Sequence, residues 1–177
     1  NLTLLSTQTA SSSATLDFTS GIDSTYDSYV FKFINIHPSS DKQKFQFNLS
    51  TDGGSNYNVA KTTTSFDSLH NESDTSTQLA YKTGQDLAQG TGFQELEQEL
   101  GNGNDECLSG TLQIFNPSST TFVKHFIARV NAYQGDDYSV DGFTAGYGNT
   151  TSAIDGIRFQ MASGNIDSGI IKLYGVA

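Results

Sequence analysis

Tryptophan is absent from this chain, and cysteine, methionine and proline are nearly so: one Cys, one Met and two Pro in 177 residues. A lone thiol, Cys107, excludes an internal disulfide, so the fold is not a disulfide-stapled secreted module and a core has to hold it. No stretch approaches the ~20 consecutive apolar residues of a membrane-spanning helix. Positive charge is scarce as well: nine Lys and Arg stand against nineteen Asp and Glu, a formal net charge of −10. Nucleic-acid binding needs a basic stripe to displace counterions, and anionic membrane surfaces repel an acidic protein. Neither partner is expected. The length fits one domain, residues 1–177, large enough to bury a core.

What is present points to strands. Twelve Phe and eight Tyr accompany long Ser/Thr/Asn/Gly stretches. Aromatic and β-branched residues suit a pleated, half-buried surface, and the polar stretches suit turns and wet strand faces. Leu2 and Leu4, then Leu16 and Phe18, alternate in two short strands. "YVFKFINI" puts Tyr29, Phe31 and Phe33 on one face, and "KQKFQFNLS" puts Phe45, Phe47 and Leu49 inward. "TDGGSNY" reads as a hairpin turn, with Tyr57 and Val59 beginning the return strand. The region 60–92 is so polar that it reads as a long loop or weak edge strand. "GFQELEQELGNGNDE" fits a helix or a strand; bounded by Gly and shorter than ten residues, it is taken as a strand whose Glu95, Glu97 and Glu99 share a solvated face. In "TFVKHFIARVNAY", Phe122, Phe126, Ala128 and Val130 face inward, with Lys124 the exception. The chain closes on a hairpin in which Ile157, Phe159 and Met161 pair with Ile171 and Leu173. "SGTLQIFN" (109–116) and "SGIIKLYG" (168–175) match in plan, which suggests equivalent strands in two sheets. About eight to ten strands with frequent turns give an all-β expectation: an antiparallel, jelly-roll-like β-sandwich.

Chemistry is hard to find. His37, His70 and His125 lie far apart and in no metal-ligand spacing. Cys107 follows an acidic pair and has no nearby His to activate it. There is no G-x-S-x-G elbow, P-loop or dinucleotide fingerprint. Asp136, Asp137 and Asp141 fall in the loop-like "QGDDYSVDGF", where carboxylates could gather around Ca²⁺, although the spacing is not that of an EF-hand. No other cofactor is suggested. Tyr133, Tyr138, Phe143 and Tyr147 occupy the same stretch; they either cover the end of the sandwich or stack on a sugar or a protein partner.

The terminal "IDGIRFQMASGNIDSGIIKLYGVA" resembles the C-terminus of a group of tailed-bacteriophage virion proteins. "IDSTYDSYVF", "STDGGSNY" and "LSGTLQIFNPSS" resemble further strands and turns of that group. Phe159, Gly164, Gly169, Leu173, Tyr174 and Gly175 carry the terminal likeness as strand and turn residues. The resemblance implies a non-enzymatic virion protein that decorates or cements the particle as a capsid-decoration, head-fibre or tail-associated component. It also implies assembly with itself, a homotrimer being the first expectation, and contact with other capsid or tail proteins. The alternative is a receptor- or glycan-binding tail appendage using the 133–147 stretch.

Overall fold

The computed structural model describes residues 1–177 and contains twelve strands and no helix. In chain order they are β1 (Leu2–Ser13), β2 (Leu16–Phe18), β3 (Ser28–Pro38), β4 (Gln43–Ser50), β5 (Lys61–Asn71) and β6 (Thr77–Tyr81). There follow β7 (Gln94–Leu100), β8 (Leu108–Phe115), β9 (Lys124–Gln134), β10 (Tyr138–Gly148), β11 (Gly156–Met161) and β12 (Ile166–Val176). All pairings are antiparallel. One large sheet runs β1-β12-β3-β8-β9-β10-β5-β6, and a smaller one runs β7-β4-β11-β2. The two join only where Leu100 pairs with Gln134, so the whole is a nearly closed antiparallel sandwich.

Between the sheets lies an aromatic core. Phe159 of β11 is its hub, with its ring 5.2–6.3 Å from those of Phe31 and Phe33 across the sandwich and of Phe18, Phe45 and Phe47 on its own sheet. Edge-to-face contacts dominate, as the ring quadrupole favours. Phe47 likewise meets Phe126 of β9 edge-on at 5.1 Å. The inward residues read in β3, β4 and β11 are buried, with Tyr29, Phe31, Phe45, Phe47, Leu49, Ile157 and Phe159 fully so. The opposite phase of β4 is not a wet face, because Gln46, Asn48 and Ser50 are buried as well, and the irregularity at Asn35 brings Ile36 into the core beside Phe33.

Several sequence expectations are corrected. The strand count exceeds the expected eight to ten. Within 60–92, β5 is an interior strand paired along its full length with β10 and on its other side with β6, which alone is a weak edge. Tyr57 and Val59 do not begin a strand; the return starts at Lys61 and pairs with β10 rather than β4. The terminal hairpin is not one, because β11 pairs with β4 and β2 while β12 pairs with β1 and β3. The turn at 162–165 carries the chain from one sheet to the other, so Phe159 and Leu173 enter the same core from different sheets instead of pairing in one ladder. The two echoing segments are not in different sheets either. They flank β3, where Phe31 pairs with Leu112 on one side and with Leu173 on the other.

Two glycines of the terminal motif are required locally. Gly169 has φ +122, and a Cβ there would lie 2.7 Å from Asn35 O and 2.8 Å from Ile36 Cα. It sits in a bulge facing Asn35, itself at φ 50, so both strands break register together. At Gly175 the Tyr26 ring lies flat on the backbone and leaves no room for a side chain. Leu173 is buried, and the Tyr174 ring lies outward beneath Lys32 Nζ at 5.2 Å.

Candidate functional site

Strict alternation along β9 buries Phe126, Ala128, Val130 and Ala132 and turns His125, Ile127, Arg129 and Asn131 outward. Lys124 belongs to the buried set, with Nζ donating to Phe122 O (2.7 Å) and Thr150 O (3.2 Å), while Phe122 is exposed. The inward and outward assignments of these two residues are thus the reverse of the sequence expectation. A flexible four-carbon stem lets the amine cross the core edge to reach carbonyls, and β9 begins only after Phe122.

The 133–147 stretch is strand rather than loop. Tyr133 ends β9, a tight turn with Asp137 at φ 61 follows, and Tyr138–Gly148 return as β10. On β10, Asp141, Phe143, Ala145 and Tyr147 face outward, each opposite an outward residue of β9 and of β5. Phe143 lies between Arg129 and Phe66, Ala145 between Ile127 and Thr64, and Tyr147 between His125 and Thr62. Tyr138 is on the opposite, inward phase, so the four aromatics do not form one cluster.

The register assembles an apolar outer face on the large sheet. Phe66 and Phe143 stack with planes 4° apart and centroids 4.8 Å apart, and the Arg129 guanidinium lies 4.8 Å above Phe143. Asp141 accepts from Arg129 Nε and Nη2 at 2.9 and 2.7 Å, so this central charge pair is neutral as a unit. Beside it, Ile127 is 56% and Leu79 is 75% exposed, with Tyr81 and Phe115 also open to solvent. An open groove of about 500 Å³ runs between Phe115, His125, Ile127, Tyr147 and the Thr62 and Thr64 hydroxyls. A hollow of about 130 Å³ adjoins it over Phe66, Phe143 and Ala145. Sequence reading missed Phe66, Leu79, Tyr81, Phe115 and Ile127. The signal was a large apolar residue in the outward phase of β5, β8 and β9, visible only once the buried phase is known.

The aspartates do not gather. Asp136 pairs with Lys42 at 2.6 Å, Asp137 accepts from Tyr133 Oη at 3.3 Å, and Asp141 is held by Arg129. Tyr133 is pushed up to about 12, first by hydrogen bonding to Glu72, then by burial and by the charges of Glu72 and Asp137. With Glu72, His70, Asn131 and Ser139 it lines a polar cleft of about 470 Å³ at the end of the apolar face. The histidines occupy separate places: His37 bonds Gly103 O, His70 bonds Asp74, and His125 packs on Tyr147. Burial raises the Cys107 thiol pKa, and Asp105 adds to the rise.

The glutamates of β7 also depart from the expected shared face. Irregular pairing with β4 turns Glu97 inward, where Oε1 accepts from Gln134 Nε2 (2.6 Å) and the backbone amides of Gln98 and Glu99. Burial raises its pKa against the pull of those donors. Together with Ser65, Asp67, Gln85, Gln94, Gln134 and Thr144 it forms a polar interior between β7 and the β5–β10 ladder. Asp67 there pairs with Lys82 at 2.9 Å.

No family model matches this chain, and no curated protein matches it. A solved protein of unknown function from Bacteroides ovatus is 6% identical over 60% of this chain and 46% of its own length, with a TM-score of 0.31. The chain thus spans under half of that protein, and likeness at this level carries no argument.

Proposed function

We propose that this chain is a non-enzymatic structural component of a tailed-phage particle, decorating or cementing the capsid or associated with the tail, and working as a homo-oligomer, a trimer by first expectation. The observation that carries the reading is the broad apolar outer face on a wholly β body. Monomeric proteins seldom expose contiguous apolar patches beyond a few hundred Å², and larger ones mark docking surfaces. A sandwich tied by full-length antiparallel ladders supplies the rigid frame that a decorating protein needs, and its acidic remainder keeps it soluble before assembly. Strands β3, β8 and β12, which carry most of the resemblance to phage virion proteins, lie side by side and belong to that frame. The test is immunogold labelling of purified particles from the phage that encodes the chain. Regular labelling of the capsid or tail is expected; particles that lack the protein would refute the proposal.

The polar cleft at Tyr133 favours a second reading, a glycan-binding appendage. An aromatic ring beside a carboxylate, an amide and a hydroxyl is a suitable lining for a sugar. A glycan array separates the two, since binding lost on Tyr133→Ala would support the appendage.

A further inference from the structure

We infer that the apolar outer face of β8-β9-β10-β5-β6 is covered by the same face of a second copy of this chain. The inference rests on the docking role proposed above and names its partner.

Area is the first argument. Phe66, Leu79, Tyr81, Phe115 and Ile127 are each between 36% and 75% exposed. Large side chains of this kind bury roughly 200 Å² each, so these five leave on the order of 500 Å² of apolar surface open. A stable protein pair buries about 800 Å² per partner, and the threonines, His125, Phe143 and Tyr147 between the five add to the area such a contact would cover.

Charge selects the partner. The chain carries −10, so two copies repel wherever their acidic surfaces meet. At the middle of this face the full charges are Arg129 and Asp141, which neutralise each other in two hydrogen bonds. Like-charged copies therefore meet at this centre with least repulsion, and the carboxylate of Asp86, which accepts from Tyr81 Oη at 2.7 Å, lies beside the edge strand β6.

Shape fits the same conclusion. Faces of twisted sheets pack on one another about 10 Å apart with strands nearly aligned, so a flat sheet face is a natural complement to itself. The hollow over Phe66, Phe143 and Ala145 has room for an apolar side chain of the opposing copy. Leu79 and Tyr81 stand on β6, whose outer edge has no strand partner, and a copy packed over this face would shield that edge.

The experiment is sedimentation velocity on the full chain over the micromolar range, with Ile127→Glu and Leu79→Glu as variants and Leu4→Glu on β1 as the control. Ile127 and Leu79 point to solvent, so their substitution leaves the core alone; circular dichroism and melting verify this, and Leu79→Glu serves if Ile127→Glu does not fold. The expected result is a dimer, because like face on like face closes after two copies, and its association weakens at least about a hundredfold when one carboxylate per copy enters the face. A wild-type chain that stays monomeric overturns the inference, as does an oligomer broken by Leu4→Glu but indifferent to the other two. Particle labelling reports separately on the proposed role: a monomer found on particles would sink only the self-contact, and an oligomer absent from particles only the role.

Discussion

Lys61 and Lys124 are the two side chains whose chemistry is least expected. They flank Gly148 on the inward side of neighbouring ladders, and both are fully buried. Each Nζ donates to two uncharged oxygens, Asn48 Oδ1 and Val59 O for Lys61, and Phe122 O and Thr150 O for Lys124. Two acceptors match the two hydrogens of a neutral amine. Burial accordingly lowers both pKa values, that of Lys61 to about 7 from an ordinary 10.5. Between those two values the unfolded chain holds a proton at Lys61 that the folded chain has released, so stability rises with pH across that window. Below it both states are protonated and the contribution is flat, with the folded protein carrying a buried ammonium. Urea unfolding between pH 7 and about 9.5, below the tyrosine range, should show this rise. The Lys61 contribution is at most about 1.4 kcal/mol per pH unit. Lys61→Met should make the slope shallower without abolishing it, because Lys124 acts in the same direction. An unchanged slope would show that Lys61 does not titrate in this window.

At the scale of elements, β3 and β12 are matched through a paired irregularity, with Asn35 at φ 50 facing Gly169 at φ 122. Gly169→Ala imposes a Cβ both on a backbone conformation that disfavours it and on the Asn35 carbonyl. Destabilisation of about 1–3 kcal/mol is expected, read as a lowered denaturation midpoint with the strand circular dichroism retained. A neutral result would show that β12 can re-register. Elements also divide what was legible from what was not. The core-facing residues of β3, β4 and β11 could be read because Phe, Tyr, Leu and Ile recur there at every second position, although the polar phase of β4 (Gln46, Asn48, Ser50) is buried too and burial there does not follow hydrophobicity. Strand β5 could not, since its buried phase is Lys61, Thr63, Ser65 and Asp67 while its exposed phase holds Phe66. Its inner face packs on other polar groups, Gln85 accepting from Ser65 Oγ, and periodicity weighted by hydrophobicity points the wrong way there. Likewise the 133–147 stretch, rich in Gly and Asp, looked like a loop because its strand character comes from pairing with β9 and β5 on both sides.

For the whole molecule, net charge and the outer face act against each other. Self-association through a neutral apolar patch brings two strongly acidic bodies together, so it should tighten as salt screens their repulsion. The Debye length falls from about 30 Å at 0.01 M to about 3 Å at 1 M. The dissociation constant from sedimentation should fall about tenfold or more over that range. Association that weakens with salt would instead mean that ion pairs hold the copies together.

By itself the sequence determined the class and its materials. Alternating Phe and Leu, Gly-rich turns and the lack of any helical stretch with a firm apolar stripe leave an antiparallel β protein as the economical packing. Its charge pattern argues against partners rich in phosphate. Only the tertiary structure decided that β11 and β12 part into different sheets, that β5 is interior, and which phase of β5, β9 and β10 meets solvent. Alternation along a strand defines two faces, but which one is covered depends on strands far away in the chain. Here β7 and residues 82–90 cover the polar phase of β5 and leave Phe66, with Ile127 and Phe143 beside it, on the outer face.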